Sequence, residues 1–480
     1  MEQLRYTSED RSFRRLMGCM AAALLLFYML CPAAPVRWND LYNSYGKTLI
    51  IAMAAIYFFK RRLAGPAEVK IVILYTAWLF VTRLLNTDLY LQNELELVIS
   101  RLLCCVILPV GLLLERGERE KLLDFIIAIA GAFFFVSGLL AVYACVFGVY
   151  IYIPPENAVF GIDNNYMDNV FTYIVAWGTN RTIASVWFYL GWCMMAYEFF
   201  HCKHKLWRIP ICIAWFVFHL TIAFSFTRSI MLAVCGNVVM LIVLLGMRYI
   251  RTKKLVVKVI AIALVALISL PITYKSFEGL RDVSAVVYNS LDTDVERIAD
   301  EYMSRGFREN TADGQTFEDK RDLKKSVSNI SQRGEIYASV IPTMKEDPMR
   351  LLIGKYSSKI MDIPNKYQSY PYFHMHNFLL QTLMLTGIIG MLLALAFTVL
   401  MVVKMIRLFF SDHPEATLAV KTLTLPLTGI FIYGMLETIL FTASADERAL
   451  TDFRELCFFL IAGIFLGYYY EIFPPKKKGK

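Results

Sequence analysis

Long apolar blocks separated by short basic segments dominate this chain of 480 residues. An α-helix needs about 20 apolar residues to cross the ~30 Å hydrocarbon core of a bilayer, and most of the blocks are close to that length. Hydrophobic residues make up 57% of the chain, which excludes a disordered protein, a nucleic-acid binder and a secreted disulfide scaffold. We therefore predict an all-α, polytopic integral membrane protein surrounded by the lipid bilayer.

The lengths of the apolar blocks predict about twelve transmembrane helices. The predicted spans are Leu16 to Ala34, Gly46 to Phe59, Val69 to Leu85, Leu97 to Leu114, Leu122 to Gly148, Thr182 to Phe200, Ile209 to Phe226, Ser229 to Met247, Leu255 to Tyr274, Met375 to Val403, Thr422 to Phe441 and Phe453 to Phe473. The first span lacks the small-residue cleavage pattern of a secretory signal, so we expect it to be retained as a helix.

The basic residues between the spans indicate the orientation of the chain. Arg5, Arg11, Arg14 and Arg15 flank the start of the first span, which predicts a cytoplasmic N-terminus by the positive-inside rule. Twelve spans place the other basic segments on the same side: Lys60 to Arg62, Arg116 to Lys121, Lys203 to Arg208, Arg248 to Lys258, Lys404 to Lys421 and Lys476 to Lys478. Both termini are thus predicted to be cytoplasmic. The net charge of +9 is an orientation signal and indicates no nucleic-acid partner.

The spans and polar segments divide the chain into three parts. Residues 1–275 contain spans one to nine and an external segment at 149–181. Residues 276–371 form a large external loop region, and residues 372–480 contain the last three spans and a basic cytoplasmic tail. Apolar residues recur at helical spacing from Ile330 to Met344, which predicts an amphipathic helix near 330–346 that lies on the membrane surface. The charged stretch Asp313 to Lys325 predicts a mobile loop.

Potential metal and cofactor ligands are poorly represented. The ten cysteines form no CxxC pair, which argues against a zinc ribbon and a disulfide framework. His374 and His376 are two positions apart, but no further ligand with recognisable spacing follows them. The chain also lacks a nucleotide-phosphate motif, which argues against a nucleotide-sugar donor. We expect no metal and no cofactor.

The most informative run extends from Tyr370 to Gly390, at the external mouth of the tenth span. Its motif residues are His376-Asn377, Leu380-Gln381, Leu383, Gly387 and Gly390. Five of them follow i, i+4, i+7, i+11 and i+14 from His376, so they share one helix face. This run resembles the His-Asn, Leu-Gln, Gly-x-x-Gly signature of the O-antigen ligase and O-antigen polymerase family.

Two further stretches resemble the same family. Phe224 to Ala233 is similar to its Ser/Thr-Arg-Ser/Gly turn before an apolar helix, and this turn contains Arg228. Gln332 to Gly354 is similar to its Arg-containing helix followed by a Pro and a Gly turn. In this third match Tyr337 is the family's usual aromatic residue, whereas the usual second glycine near 356 is missing. Together the matches cover residues 224 to 390.

The resemblance implies a membrane glycosyl-group transferase at the outer face of a bacterial cytoplasmic (inner) membrane. Such an enzyme moves or polymerises oligosaccharide repeat units from a polyprenyl diphosphate carrier to a glycan, glycolipid or protein acceptor. Polymerase and ligase look alike at these motifs, so both remain open, with a slight preference for a polymerase. From another class, a multi-span transporter or a lipid-linked oligosaccharide flippase fits the same span count, although no internal repeat is evident.

Arginine side chains suit the first task of this reaction, which is to stabilise the departing diphosphate. Arginine supplies permanently charged donors that bind phosphate in a bidentate manner. Arg228 is expected as a catalytic residue and a diphosphate ligand. The same binding role is expected for Arg333, Arg181 and Arg448. The simpler alternative for all four is contact with lipid headgroups or solvent.

The second task is removal of a proton from the acceptor hydroxyl. Histidine suits proton transfer near neutral pH, so His376 is expected to be the general base. Asn377 and Gln381 are expected to orient the substrate. The simpler alternative for His376 is that it anchors a helix end at the membrane surface.

Three charged residues, Arg83, Arg101 and Glu437, fall inside predicted spans. A charge within the membrane is a functional candidate by default, but pairing among the three to hold the helices together is the favoured interpretation. The external segment 149–181 mixes aromatic residues with amides and carboxylates. It predicts either contacts with sugar rings or an aromatic belt at the membrane surface.

Overall fold

The computed structural model describes residues 8–474 with several gaps. The gaps are 31–35, 62–64, 87–90, 148–150, 154–156, 164–172, 177–180, 226, 251–254, 291–333, 335–336, 339, 341, 343, 346–347, 355–374, 438–439 and 441–447. The predicted mobile loop at Asp313 to Lys325 lies outside the described residues.

Helices account for most of the described chain. In chain order they are α1 (Ser8–Leu30), α2 (Val36–Arg61), α3 (Ala67–Leu85), α4 (Leu91–Leu113), α5 (Arg116–Ile126), α6 (Ala132–Phe147), α7 (Arg181–His201), α8 (Arg208–Ser225), α9 (Arg228–Tyr249), α10 (Leu255–Ser290), α11 (Pro348–Ile353), α12 (Phe378–Phe409), α13 (Leu418–Thr422), α14 (Thr424–Gly434) and α15 (Arg448–Ile472). A π-helical turn (Ile127–Gly131) joins α5 to α6, and a 3₁₀ turn (Lys205–Trp207) precedes α8.

Seven helical segments of the described chain are long and apolar enough to cross a membrane. They are Arg11–Met29, Arg116–Tyr143, Lys205–Ser225, Arg228–Tyr249, Val259–Leu280, Phe378–Phe409 and Arg454–Ile472. Two shorter apolar segments, Arg101–Leu113 and Leu418–Gly434, accompany them. The prediction of a helical, polytopic membrane protein is therefore confirmed. The predicted number of twelve spans is not confirmed.

A three-stranded antiparallel sheet lies within the predicted external segment 149–181, where no strand was predicted. Its strands are β1 (Ile151–Ile153), β2 (Asn157–Asp163) and β3 (Tyr173–Ala176), in the order β1-β2-β3. Asp163 pairs with Tyr173, and Phe160 pairs with Ala176. The strands are rich in the β-branched and aromatic residues that favour a pleated surface. The sheet adds a small β element to an otherwise helical chain.

The chain forms two compact units that are not contiguous in sequence. The first unit comprises residues 1–31, 36–126 and 328–480, and the second comprises residues 32–35 and 127–327. The first therefore contains α1 to α5 and α11 to α15. The second contains α6 to α10 and the sheet. The three-part division predicted from the sequence describes chain order and stays a prediction.

In the first unit, α4 and α15 pack along each other at very short range. A Cβ atom on Gly111 would lie 2.2 Å from the backbone of Gly463, and one on Gly463 would lie 2.3 Å from the carbonyl oxygen of Leu108. Only glycine allows two helix backbones to approach this closely. Gly463 and Gly467 have the small-x-x-x-small spacing that is common where membrane helices cross.

Buried ion pairs also join helices of the first unit. Arg101 of α4 pairs with Glu455 of α15, and both side chains are almost fully buried. Lys404 of α12 pairs with Glu68 of α3, and Glu68 also accepts a hydrogen bond from the Tyr470 hydroxyl of α15 at 2.9 Å. The sequence predicted that Arg101 pairs within the group of Arg83, Arg101 and Glu437. Its partner is instead Glu455, which no sequence pattern indicated.

The second unit has an aromatic core between α6, α7 and α8. Trp187 and Phe134 stack with ring centroids 6.3 Å apart, and a Cβ atom on Gly191 would overlap the ring of Phe218. The buried amide of Asn237 donates to the Tyr189 hydroxyl at 2.7 Å and so links α9 to α7. A polar bond of this kind compensates for placing an amide inside a membrane helix bundle.

Candidate functional site

Asn377 shapes the turn that begins α12. Its backbone is extended, and its side-chain oxygen accepts hydrogen bonds from the backbone N–H groups of Leu379 and Leu380 at 3.0 and 3.1 Å. This is N-capping of α12, which satisfies donors that have no partner within the helix. The Asn377 amide also donates to the carbonyl oxygen of Met435 at 3.0 Å, so the turn is tied to the segment that follows α14.

The backbone of His376 adopts a left-handed conformation, with φ of 47°. Such a conformation costs a residue other than glycine roughly 1–3 kcal/mol and persists only where the surroundings hold it. The Tyr337 hydroxyl donates to the His376 carbonyl at 2.9 Å, and the Gln381 side-chain oxygen accepts from the Met375 N–H at 2.9 Å. Together with the Asn377 cap, these bonds fix the direction in which the imidazole leaves the chain.

The imidazole of His376 forms a close pair with the carboxylate of Glu437. Nδ1 lies 2.9 Å from Oε2, and the side chains are 26% and 12% exposed. A carboxylate accepts a hydrogen bond from a protonated Nδ1, which makes Nε2 the basic nitrogen of the neutral ring. This arrangement fixes the tautomer and the orientation of the imidazole, as the aspartate of a catalytic triad does for its histidine.

α12 is broken at Gly387, whose φ of 70° and ψ of −172° are not helical. Gly354, with φ of 67°, ends α11 at the same place. A Cβ atom on Gly387 would lie 2.1 Å from the carbonyl oxygen of Leu352, and one on Gly354 would lie 2.4 Å from the carbonyl carbon of Leu385. Both glycines are required by conformation and by this backbone contact. The motif glycine Gly387 thus marks a break, whereas the sequence predicted continuous helical spacing across it.

Side chains of α3 and of its C-cap residue bind carbonyl groups at the break in α12 and at the end of α11. Trp78 Nε1 donates to the Thr386 carbonyl at 2.8 Å, and the buried Arg83 guanidinium donates to the Leu385 carbonyl. Asn86 donates to the Gly354 carbonyl at 3.1 Å. Backbone polar groups at membrane depth must be paired within the protein. The role of Arg83 shown by these contacts is therefore to stabilise the broken helix.

The helical residues between positions 334 and 345 pack on the first half of α12. Val340 and Met344 form a buried cluster with Met375, Leu383 and Met384. These residues belong to the amphipathic helix predicted near 330–346, and their apolar side covers α12 of the same protein. The packing also brings Tyr337 to the backbone of His376.

Arg228 is the first residue of α9, as the predicted turn before an apolar helix requires. Thr227 precedes it as the N-cap residue, and its carbonyl accepts from Ile230 and Met231 at 3.0 Å. Arg228 is half-buried and belongs to the second unit. The N-terminus of a helix carries a partial positive charge, so an arginine there adds to a potential that favours an anion.

The other predicted arginines are less well described. Arg333 lies outside the described residues. Arg181 is the first residue of α7 and Arg448 is the first residue of α15, and only their backbones are described. Their predicted role in binding a diphosphate therefore stays a prediction, as does that of Arg228.

Glu437 is the residue of this site whose role the sequence analysis missed. It was expected to pair with other intramembrane charges and to hold the helices together, but it lies beside His376, 61 positions away in the chain. The available signal was an acidic residue within an apolar block, which is a functional candidate by default. Periodicity could not indicate its partner.

The apolar helices and the motif-bearing turn define a polytopic integral membrane protein with a histidine–glutamate pair at the start of a broken helix. Residues 211–395 match the family model described as O-antigen ligase. This match covers the motif residues from Arg228 to Gly390 and confirms the predicted resemblance to the O-antigen ligase and polymerase family. No curated protein matches the chain.

Proposed function

We propose that this protein transfers oligosaccharide units from a polyprenyl diphosphate carrier to an acceptor hydroxyl at the outer face of the bacterial cytoplasmic membrane. The observation that carries the proposal is the 2.9 Å pair of His376 with Glu437, because the histidine belongs to the segment that matches the O-antigen ligase family. The acceptor is a glycan, a glycolipid or a protein. The reaction is that of a polysaccharide polymerase or an O-antigen ligase.

In this proposal His376 is the general base. Nε2 takes the proton of the acceptor hydroxyl while its oxygen forms a bond to the anomeric carbon of the donor sugar. The bond from that carbon to the diphosphate oxygen breaks, and polyprenyl diphosphate leaves with the electron pair. Glu437 keeps Nδ1 protonated before the reaction and stabilises the imidazolium that forms.

Arg228 is the proposed ligand of the departing diphosphate. Its position at the start of α9 supports this role, because the guanidinium and the helix N-terminus both stabilise negative charge that develops on the leaving group. Arg333, Arg181 and Arg448 are proposed as further diphosphate ligands on the basis of the sequence. Each charged hydrogen bond contributes roughly 1.5–3 kcal/mol.

Asn377 and Gln381 were predicted to orient the substrate. Their described hydrogen bonds are to the backbone of Leu379, Leu380, Met435 and Met375. These bonds support a positioning role, in which both amides hold the turn that presents His376. A direct contact with substrate stays a prediction.

The test of the transferase function is the length profile of lipid-linked and surface glycans in a deletion strain. The strain carries the wild-type gene, His376→Ala or the control His413→Ala. The His413 side chain is exposed, and His413 lies beyond the end of α12, outside the motif. Membrane levels of all three proteins are matched. We expect wild type and His413→Ala to restore glycan, and His376→Ala to reduce transfer by about 10²- to 10⁴-fold.

The pattern of products separates the alternatives. Loss of the repeat ladder in His376→Ala indicates a polymerase, whereas a normal ladder that is not attached to its acceptor indicates a ligase. Full activity of His376→Ala would refute the general-base assignment. Retention of lipid-linked units at the cytoplasmic face in the deletion strain would instead support the flippase alternative.

A further inference from the structure

The turn between α7 and α8 combines positive charge with exposed apolar side chains. Lys203 and Lys205 are exposed, and Leu206 and Trp207 are 81% and 66% exposed. Tryptophan is enriched where a membrane protein passes from the hydrocarbon layer to the headgroups. The composition of the turn therefore indicates a position in the headgroup layer.

Arg208, the first residue of α8, is held at this turn by its neighbours. Its Nη2 donates to the Cys202 carbonyl at 3.4 Å, and its guanidinium carbon lies 5.2 Å from the centre of the Phe199 ring. The Nε atom is buried and has no hydrogen-bond partner among the described residues. Arg208 as a whole is only partly buried, so an acceptor from outside the protein can still approach its guanidinium group from the exposed side.

Arg208 also lines one end of an open groove along α8. The other lining residues are Ile209, Cys212, Ile213 and Phe216, and the groove has a volume of about 460 Å³. These positions recur every three or four residues, so the groove follows one helix face. Apart from Arg208, the side chains that line the groove carry no charge.

The charge and shape of this surface fit one class of ligand. A cationic end next to a long apolar groove is complementary to a molecule with an anionic head and a hydrocarbon chain. The N-terminus of α8 adds a partial positive charge. This charge attracts an anion, and it repels the lysines and the arginine when no anion is bound beside them. Because basic residues at a membrane surface attract anionic lipids, the matching ligand is a phospholipid of the bilayer itself.

We infer that the turn at residues 202–208 and the groove on α8 bind one anionic phospholipid. Its phosphate contacts Lys205 and Arg208, and one acyl chain lies against Ile209, Ile213 and Phe216. This site is independent of the proposed transferase reaction, because the turn belongs to the predicted cytoplasmic side. It provides a fixed anchor for the second unit in an anionic leaflet.

The test counts lipids that remain bound to the purified full-length protein in native mass spectrometry. The protein is reconstituted in nanodiscs of phosphatidylcholine with increasing phosphatidylglycerol and then released into detergent. Lys205→Gln/Arg208→Gln removes the cationic end, and Cys212→Trp fills the groove without changing charge. Lys60→Gln/Lys70→Gln is the matched control, because both lysines are exposed and lie outside this turn.

Wild type and the control are expected to retain one phosphatidylglycerol that both test variants lose. Each charge removed should weaken phosphatidylglycerol binding about fivefold. Equal retention by Lys205→Gln/Arg208→Gln and wild type would overturn the assignment of the headgroup contacts. Equal retention of phosphatidylcholine and phosphatidylglycerol by wild type would overturn the selectivity, and the groove would then be a general lipid contact. Size-exclusion profiles identify any variant that fails to fold, in which case Lys205→Gln alone decides the headgroup assignment.

Discussion

At the scale of single residues, the turn from Met375 to Asn377 combines a strained backbone conformation with hydrogen bonds that hold it in place. His376 has an unfavourable backbone conformation, and it is held by the Tyr337 hydroxyl and by the cap at Asn377. Its side chain is in turn oriented by Glu437. Strain of this kind is commonly found where a side chain must be presented in one direction. The turn therefore has the properties of a preorganised site.

Glu437→Gln tests whether the carboxylate acts through His376. The substitution retains an oxygen that can accept from Nδ1 but removes the charge that stabilises an imidazolium. In a transfer assay with lipid-linked donor, kcat should fall by about 10²-fold or more, while KM changes by less than about threefold. Glu278→Gln, at a half-buried position of α10, is the control and should retain wild-type kinetics. If the amount of folded Glu437→Gln protein falls as much as the activity does, the role of Glu437 is purely structural.

Asn377 offers two substitutions that separate its two hydrogen-bonding roles. Asn377→Ala removes both the cap of α12 and the bond to Met435, and should lower the free energy of unfolding by about 1–3 kcal/mol. Asn377→Asp keeps a capping oxygen and should recover part of this loss. Unfolding in mixed detergent micelles measures both. Identical stabilities for the two variants would show that the cap contributes little.

At the scale of elements, α12 shows how a membrane helix can be interrupted at a defined place. The break at Gly387 lies against the end of α11 at Gly354, and α3 supplies Trp78 and Arg83 to the exposed carbonyls. Three elements that are distant in sequence thus satisfy one another's backbone groups. The first half of α12 has its orientation set by these contacts and by the turn at His376.

Gly387→Ala tests the requirement for glycine at the break. A methyl group there would meet the Leu352 carbonyl at a distance that real structures do not show, and the positive φ adds strain. We expect a loss of more than about 2 kcal/mol in unfolding free energy. Gly279→Ala is the matched control: its Cβ would meet nothing within 4 Å, and it should stabilise α10 by about 0.5–1 kcal/mol. A mild effect at Gly387 would mean that the break is not required.

At the scale of the whole molecule, each compact unit is held by packing and by a few buried polar contacts. In the first unit α4 and α15 are joined both by the close backbone contact at Gly111 and Gly463 and by the Arg101–Glu455 pair. Within lipid the apolar surfaces of two helices gain little from mutual burial, so close packing and polar contacts determine which helices associate. Buried pairs of this kind specify the partner of a helix more than they add stability.

A double-mutant cycle tests the Arg101–Glu455 pair. Arg101→Met leaves a buried carboxylate unpaired and should cost about 3–5 kcal/mol, whereas Arg101→Met/Glu455→Leu should be less destabilised than either single variant. The exposed pair Arg116–Glu120 is the control, with a coupling energy below about 1 kcal/mol. Unfolding free energies in micelles give the coupling. Additive effects at the buried pair would contradict the prediction.

The sequence alone determined that the chain is a helical membrane protein, where its apolar helices lie, and which turn carries His376. These features are local: the transfer of each side chain into hydrocarbon and the spacing of motif residues depend on a few neighbouring positions. The start of α9 at Arg228 follows from the same local chemistry. The match at residues 211–395 rests on this information as well. The N-cap formed by Asn377 was not predicted, because the sequence analysis assigned Asn377 to the substrate.

Only the tertiary structure decided the partners. Glu437 reaches His376 across 61 positions, Trp78 reaches Thr386 across 308, and Arg101 reaches Glu455 across 354. The break at Gly387 is another such feature, because a glycine in an apolar stretch has the same local sequence pattern whether the helix continues or is broken there. These outcomes depend on which helices cross and at what depth. That is set by the packing of complete helices, and no periodicity within one of them encodes it.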